Sequence, residues 1–145
     1  MDSKLLDLAR SWQAADPDPE TARELASLIE NGGEAELLDR FRGELEFGTA
    51  GLRGLLGAGP NRMNRAVVRR ATAGVARYLL ATVPDAARRG VVVARDARRG
   101  SNDFALETAG VLAGHGIRVH FFVDLAPTPL GAFAVKELGA AAGVV

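Results

Sequence analysis

The sequence predicts an α/β fold, in which an N-terminal helical arm is followed by a largely parallel sheet with crossover helices. In the second half of the chain, short apolar runs alternate with helical segments, in the order VVVA, SNDFALETAGVLAGHG, IRVHFFV, TPLGAFAVKELG and AAAGVV. Strands that alternate with helices over short links are typical of crossover connections above a parallel sheet. In the first forty residues, apolar side chains recur at helical spacing instead, which predicts helices before the sheet.

The N-terminal arm is predicted to contain three helices. The apolar stripe of the first helix consists of Leu5, Leu8, Ala9 and Trp12, and we interpret the tryptophan as a packing anchor. This helix ends at the run DPDP, because each proline disfavours the helical conformation of the residue before it. Asp18 as N-cap and Pro19 at the first helical position begin the second helix, which ends at NGG. The third is expected at Glu34–Phe41.

A fourth helix and three strands are predicted after the loop EFGTAGLRG. Asn64 is the candidate N-cap of a helix that runs to about Leu80. Its predicted apolar stripe consists of Val67, Val68, Ala71, Val75, Tyr78 and Leu79. The strands are expected at Val91–Ala94, at Ile117–Val123 and within the run AAAGVV. The helices between these strands end at glycines, as helix C-termini often do.

Composition and charge argue against several classes of function. The 145 residues carry 18 basic and 18 acidic side chains, and this balance argues against a large nucleic-acid footprint. The sequence has no cysteine, which excludes disulfides, thiolate metal sites and cysteine catalysis. No apolar run approaches the roughly 20 residues of a membrane span, and the N-terminus lacks the features of a signal peptide. We therefore expect a cytoplasmic protein that binds neither nucleic acid nor membrane.

The loop EFGTAGLRG places one arginine among glycines and other small residues. Three of its positions lack a Cβ and can adopt positive φ, namely Gly48, Gly51 and Gly54. Backbone N–H groups and the Arg53 guanidinium can therefore approach a phosphate or carboxylate closely. A tight surface turn with a solvated arginine is the competing interpretation, and from the loop alone we prefer it.

Two acidic residues follow predicted strands, Asp96 after VVVAR and Asp124 after HFFV. Carboxylates at neighbouring strand ends can hold Mg²⁺ or accept a phosphoryl group, as in receiver-type domains. The alternative, which we prefer, is that Asp96 pairs with Arg98 or caps a turn. His115 and His120 do not have metal-ligand spacing, and we assign both to structural roles.

Four motifs follow one another along the chain: EFGTAGLRG with GPNRMN, VVVARDARRGSNDFA, VHFFVDLAPTPL and AAAGVV. In order and spacing they resemble the N-terminal part of the α-D-phosphohexomutases, the phosphoglucomutase and phosphomannomutase family, over about Leu45 to Val145. The helical arm and the Arg62-Met63-Asn64 triplet resemble the longer-chain branch of phosphopentomutase and glucose-1,6-bisphosphate synthase relatives. Ala50 and Ala94 depart from the residues that many members have at these positions.

The resemblance implies a reversible phosphoryl shift between two hydroxyls of a hexose or pentose phosphate. Family members donate the phosphoryl group from a phosphoserine, pass through a bisphosphorylated sugar, and use Mg²⁺ to neutralise the transferring group. Arg53 matches the arginine of the family's GTxGLR loop, which lies beside the phosphoserine, and is the candidate catalytic residue. The candidate phosphate-binding residues are Gly48, Thr49, Gly51 and Arg53. The expected partners of the complete protein are a sugar phosphate and the sugar bisphosphate intermediate.

The resemblance also implies what this sequence lacks. The family's phosphoserine loop, Thr-Ala-Ser-His-Asn-Pro, follows the strand that matches Ala141 to Val145 and does not occur here. The Mg²⁺ ligands belong to later domains, so no metal ligand is assigned in this chain. We expect a helical arm at residues 1–44 and a first α/β domain at 45–145, truncated before the phosphoserine loop, with its sheet incomplete at the C-terminus. The 145-residue chain alone is expected to be inactive.

Two other function classes remain open at the level of sequence. One is a stand-alone anion-binding or phosphoacceptor α/β module, in which the glycine-rich loop or the strand-end carboxylates would act without further domains. The other is a catalytically empty domain that pairs with a homologue. Anion binding by the chain itself would separate these two classes.

Overall fold

The computed structural model describes residues 2–49 and 51–145. The chain forms two compact units, which divide between Val67 and Val68. The helical arm and the loop EFGTAGLRG lie in the first unit, and the three predicted strands lie in the second. The predicted sequence boundary between residues 44 and 45 stays a prediction. Within the described residues, no helix is long and apolar enough to cross a membrane.

The first unit is built on the three predicted helices. They are α1 (Ser3–Ala15), α2 (Pro19–Glu30) and α3 (Glu34–Phe41). The predicted N-cap of α2 is confirmed, because Asp18 Oδ1 accepts a hydrogen bond from the Glu20 N–H at 2.9 Å. After α3, two-residue strands β1 (Phe47–Gly48) and β2 (Gly51–Leu52) form an antiparallel hairpin within the predicted loop.

The core of the first unit joins the three helices to a later segment of the chain. Its fully or nearly fully buried apolar residues are Leu5, Ala9, Leu25, Leu37 and Ala58. Trp12 packs against this cluster and meets Phe41 edge to face, with 6.2 Å between ring centroids, which confirms its predicted packing role. The prediction for Leu8 is wrong, since this side chain is 51% exposed. The buried side chains of α1 are Leu5 and Ala9.

The second unit contains a three-stranded parallel sheet with helices, as predicted. Its elements after α4 (Arg65–Thr82), which crosses the division between the units, are α5 (Ala86–Arg89), β3 (Val91–Val93), α6 (Ser101–Gly114), β4 (Val119–Phe121), α7 (Thr128–Glu137) and β5 (Ala142–Val144). The strand order is β4-β3-β5, and both neighbours run parallel to β3. In this register Val92 lies between His120 and Gly143. The fold class is therefore confirmed.

Helices cover both faces of this sheet. Val91 and Val93 of β3 belong to a core cluster with residues of α4 and α6, which include Ala76, Leu79 and Leu112. Val92, whose side chain points to the opposite face, packs with Ala134 of α7. All three valines are fully buried, which explains why the central strand is a continuous apolar run.

The buried face of α4 differs from the predicted stripe. Val67, Val68 and Leu79 are buried as predicted, whereas Ala71, Val75 and Tyr78 are exposed. The inward positions are instead taken by Thr72 and Ala76. The Thr72 and Thr108 hydroxyls lie 3.5 Å apart, so small polar side chains meet where the pattern predicted larger apolar ones. β3 and β4 are also shorter than predicted, with three residues each, whereas β5 lies within the run AAAGVV as predicted.

Gly90, which precedes the central strand, should be intolerant of a side chain. Its φ is +78°, and a Cβ there would lie 2.6 Å from the Arg118 carbonyl oxygen. Gly90→Ala is expected to lower the free energy of unfolding by roughly 1–3 kcal/mol, from backbone strain and steric overlap. Urea denaturation followed by circular dichroism measures this change.

Gly110→Ala is the matched control, because a Cβ at this exposed position of α6 meets nothing within 4 Å. Alanine there should raise stability by up to about 1 kcal/mol through its higher helix propensity. Equal denaturation midpoints for the two variants would contradict the packing assigned to Gly90.

Candidate functional site

The candidate site is a tight hairpin, which we name the Arg53 hairpin and define as residues 46–54. Gly48 and Gly51 face each other across the two strands, and exposed Thr49 lies in the turn between them. Gly51 has a φ of +94°, a conformation that favours glycine. Ala50 lies outside the described residues. The structure thus brings three of the four candidate phosphate-binding residues together at the hairpin tip.

Arg53, the fourth candidate, directly follows β2 and is exposed. Within the described residues it makes no hydrogen bond or ion pair, so its guanidinium donors remain available to a ligand. Of the three loop glycines, only Gly51 has the positive φ that the sequence suggested for all of them. At Gly54, a Cβ would lie 2.7 Å from Leu45 Cδ2, so a neighbouring leucine fills that space.

The two ends of the Arg53 hairpin are held by the segment that follows it, residues 55–64. At the entry, the Leu45 N–H donates to the Pro60 carbonyl at 3.1 Å. Directly after the exit, Leu55 is held within the segment itself, since its carbonyl accepts from the Met63 N–H at 2.8 Å. Because the residue before the hairpin is hydrogen-bonded to this segment and the residue after it belongs to the segment, the placement of the hairpin depends on the placement of residues 55–64.

Arg40 of α3 is the buried centre of a charge cluster that contacts this segment. The arginine is only 6% exposed, and its Nη2 lies 2.7 Å from Glu24 Oε1 and 2.7 Å from Glu36 Oε1. Its Nη1 donates to the Ala58 carbonyl at 3.0 Å, while the Ala58 N–H donates to Glu24 Oε2 at 2.8 Å. Burial alone would lower the pKa of Arg40, but the hydrogen bonds that it donates to both carboxylates outweigh this effect and raise that pKa.

A second buried arginine, Arg62, ties the same segment to α3. Its Nη2 donates to Asp39 Oδ2, and Asn61 Nδ2 donates to the Asp39 carbonyl at 2.9 Å. The hydrogen bond from Arg62 is the main reason that the pKa of Asp39 lies below its ordinary value, although burial opposes this shift. Asn64 caps α4 as predicted, since its Oδ1 accepts from the Val67 N–H at 2.9 Å.

Asp96 and the two histidines make hydrogen bonds within the chain, whereas Asp124 is exposed. Asp96 accepts hydrogen bonds from the Arg98 N–H at 3.0 Å and from Arg98 Nε at 2.6 Å, as the preferred interpretation predicted. These bonds, the backbone one first, hold the pKa of Asp96 below its ordinary value against the effect of burial. His115 Nδ1 and His120 Nε2 each lie within 3.0 Å of a backbone carbonyl. Across residues 2–49 and 51–145, no three His, Asp or Glu side chains group as a metal site.

Comparison with known families gives a direct match for most of this chain. Residues 44–145 match the family described as phosphoglucomutase/phosphomannomutase, alpha/beta/alpha domain I. The chain belongs to this family. The layering of the second unit, with helices on both faces of a parallel sheet, agrees with that description. The resemblance seen in the four sequence motifs is therefore confirmed.

Relatives of this phosphoglucomutase/phosphomannomutase-family chain extend the match into the helical arm. A Schizosaccharomyces pombe protein named "Probable phosphoribomutase" is 46% identical over all of this chain and 25% of its own length. A Mus musculus "Phosphopentomutase" is 36% identical over all of this chain and 24% of its own length. A Mus musculus "Glucose 1,6-bisphosphate synthase" is 39% identical over 92% of this chain and 22% of its own length. The chain thus spans about a quarter of these relatives, and no solved structure matches it.

Sequence reasoning missed the charged residues that support the Arg53 hairpin in this family member. Glu36 and Arg40 stand four residues apart on a predicted helix, which is the spacing of an ordinary surface pair. Nothing in this spacing shows that Arg40 is buried or that Glu24 reaches it. The one available signal was the GPNRMN motif, whose Arg62 and Asn64 are both buried.

The Asp39–Arg62 pair should give the first unit an acid-sensitive component of stability. Because the folded-state pKa of Asp39 lies below 3.8, its contribution is complete above that pH and is lost as pH falls through the folded-state pKa. Asp39→Asn should therefore lower stability at pH 6, and the difference from wild type should shrink below pH 3.8. Urea denaturation read by the fluorescence of Trp12, the single tryptophan, reports on this unit.

Asp7→Asn serves as the control for this titration. Asp7 is exposed on α1, and the structure shows no hydrogen bond to its side chain among the residues described. Its replacement should leave stability unchanged at both pH values. A pH-independent effect of Asp39→Asn would contradict a role for the Asp39 charge.

Proposed function

We propose that this chain is the N-terminal part of a phosphosugar mutase, which moves a phosphoryl group between hydroxyls of a hexose or pentose phosphate. The proposal includes a phosphoserine donor and a bisphosphorylated sugar intermediate. It is supported by family membership and by relatives named phosphoribomutase and phosphopentomutase. The observation that carries it in the structure is the exposed Arg53 on a hairpin whose two ends are fixed.

The proposed role of Arg53 is to bind the phosphoryl group while its negative charge is transferred. A guanidinium stays charged at every relevant pH and presents a planar fork of donors that matches phosphate oxygens. Gly48 and Gly51 leave the hairpin backbone without side-chain bulk, so a phosphate can approach its N–H groups. Thr49 in the turn adds a hydroxyl that can donate to the same anion.

Magnesium is proposed as the cofactor of the complete enzyme. The described side chains do not group as a cation site, so its ligands are proposed to lie outside this chain. When bound, Mg²⁺ supplies charge neutralisation at the transferring phosphoryl group. The contribution of the present residues is the arginine contact and the shape of the hairpin, which need no metal.

The substrate class proposed here is a sugar phosphate, with the sugar bisphosphate as the second partner. Two of the relatives have names that refer to pentose phosphates, and one has a name that refers to glucose 1,6-bisphosphate. Ribose 1-phosphate and glucose 1-phosphate are therefore the two substrates to compare. A cytoplasmic location belongs to the same proposal.

The isolated 145-residue chain should show no mutase turnover. Its sequence lacks the Thr-Ala-Ser-His-Asn-Pro loop from which the phosphoryl group would be donated. Purified chain is incubated with ribose 1-phosphate or glucose 1-phosphate and a trace of the matching bisphosphate, and product is followed by phosphorus NMR. Turnover above that of a mock preparation would show that the chain carries its own donor.

Loss of the Arg53 charge should slow a complete mutase without unfolding it. A chimera in which this chain replaces the matching segment of mouse phosphopentomutase provides such an enzyme, since the match covers the whole chain. Arg53→Ala should lower kcat/KM by roughly two orders of magnitude, as expected when a preorganised charge contact is removed. Arg53→Lys should restore only part of the rate, because an ammonium lacks the two-pronged geometry.

Arg77→Ala is the control for the chimera, since Arg77 is an exposed arginine on α4. It should keep kcat/KM within about twofold of the unmodified chimera. Near-normal turnover of Arg53→Ala, or a loss explained by a lower Tm, would support the solvated-turn interpretation instead.

A further inference from the structure

We propose that Glu24 and Arg40 are positioning residues for the Arg53 hairpin. Both lie in the helical arm, before the region at 44–145 that matches the family domain. The inference rests on the proposed function, because only a ligand contact gives the hairpin's position a functional meaning. It assigns to the arm a role in the site that its helical sequence does not suggest.

The first step is that Glu24 and Arg40 together bind both backbone polar groups of one residue. The Ala58 N–H donates to Glu24 Oε2 at 2.8 Å, and the Ala58 carbonyl accepts from Arg40 Nη1 at 3.0 Å. The two side chains are joined to each other by the 2.7 Å contact between Arg40 Nη2 and Glu24 Oε1. Ala58 is fully buried, so water cannot substitute for these bonds without opening the segment.

The second step is that the neighbours of Ala58 are hydrogen-bonded to residues that flank the hairpin. Gly57, next to Ala58, donates its N–H to the Met63 carbonyl at 3.2 Å, and the Met63 N–H binds Leu55 at the hairpin exit. On the other side of Ala58, the Pro60 carbonyl binds Leu45 at the hairpin entry. A shift of Ala58 therefore moves Pro60 and Met63, which are hydrogen-bonded to the two residues that flank the hairpin.

Glu36 provides a built-in contrast to Glu24. Its Oε1 lies at the same 2.7 Å from Arg40 Nη2, but it comes from the same helix at i, i+4 spacing and is 51% exposed. Among the described residues, its carboxylate contacts Arg40 and no backbone group of the 55–64 segment. If the cluster acts only through the charge of Arg40, the two glutamates are equivalent, whereas positioning of the hairpin requires Glu24.

The test compares Glu24→Gln with Glu36→Gln in the 145-residue chain. Arg40 Nη2 and the Ala58 N–H bind different oxygens of Glu24, and a glutamine of the same size replaces one of these oxygens by an NH2 donor, which faces one of the two donors without accepting from it. Amide hydrogen exchange measured by NMR reads the protection of Leu45, Gly57, Ala58 and Met63. The Leu45 and Ala58 N–H groups bind the segment to the hairpin entry and to Glu24, and the Gly57 and Met63 N–H groups make hydrogen bonds within the segment.

Glu24→Gln should speed exchange at these four amides by roughly tenfold or more, while protection within α2 and α3 changes little. Glu36→Gln should change the same four amides by less than about threefold. Equal effects of the two variants, or an acceleration spread evenly over the first unit, would overturn the proposal and leave a purely stabilising cluster.

A phosphate titration separates this inference from the proposed function. Inorganic phosphate is added to wild type and to Glu24→Gln, and shifts of the Arg53 Nε–H and of the hairpin amides are followed. Wild type should respond at Arg53, and Glu24→Gln should bind at least about threefold more weakly, because a displaced hairpin loses preorganisation. Equal affinity of the two proteins would overturn the positioning role. No response in wild type would overturn the phosphate-binding role of Arg53, while the exchange data still decide whether Glu24 places the hairpin.

Discussion

The buried guanidinium of Arg40 is the interaction on which the first unit depends. A charge that is 6% exposed has lost most of its hydration, and this loss is offset only by close and well-directed partners. Glu24, Glu36 and the Ala58 carbonyl supply them, and the raised pKa of Arg40 shows that the pairing outweighs burial. Because those partners come from α2, from α3 and from the chain after the hairpin, one arginine holds three segments together.

Much of the fold is local enough to be predicted from the sequence. The start of α2 follows from a proline and a capping aspartate, its end follows from the run NGG, and the start of α4 follows from the Asn64 cap. The alternation of strands with helices predicted the sequence of β3, β4 and β5 along the chain and their parallel direction, but not their order in the sheet. The inward face of α4 was not predictable in the same way, because the buried positions hold Thr72 and Ala76 while larger apolar side chains point outward. Hydrophobicity ranks a valine above a threonine, but only the neighbouring Thr108 determines which one fits.

The contacts that position the candidate site were even less predictable from the sequence than the buried face of α4. Its composition indicated a small-residue turn around an arginine, and the structure confirms a tight hairpin with one positive-φ glycine. What fixes that hairpin comes from elsewhere, since Arg40 is 18 residues from Ala58 and Glu24 is 34 residues from it. Contacts over such separations leave no periodicity in the sequence, and a buried charge looks the same in one dimension as a solvated one.

Arg40 and Arg53 show how one side-chain type takes opposite roles in a single unit. Arg40 donates hydrogen bonds to two carboxylates and a backbone carbonyl, so it stabilises the unit and has few donors left for a ligand. Arg53 makes no hydrogen bond or ion pair within the described residues, so it has binding capacity but no contact of its own to hold it in place. Positioning through the backbone leaves all of the guanidinium donors of Arg53 free for the anion that we propose it binds. Under the proposed function, the buried Arg40 and the exposed Arg53 are therefore two parts of one arrangement, in which Arg40 positions the hairpin that presents Arg53.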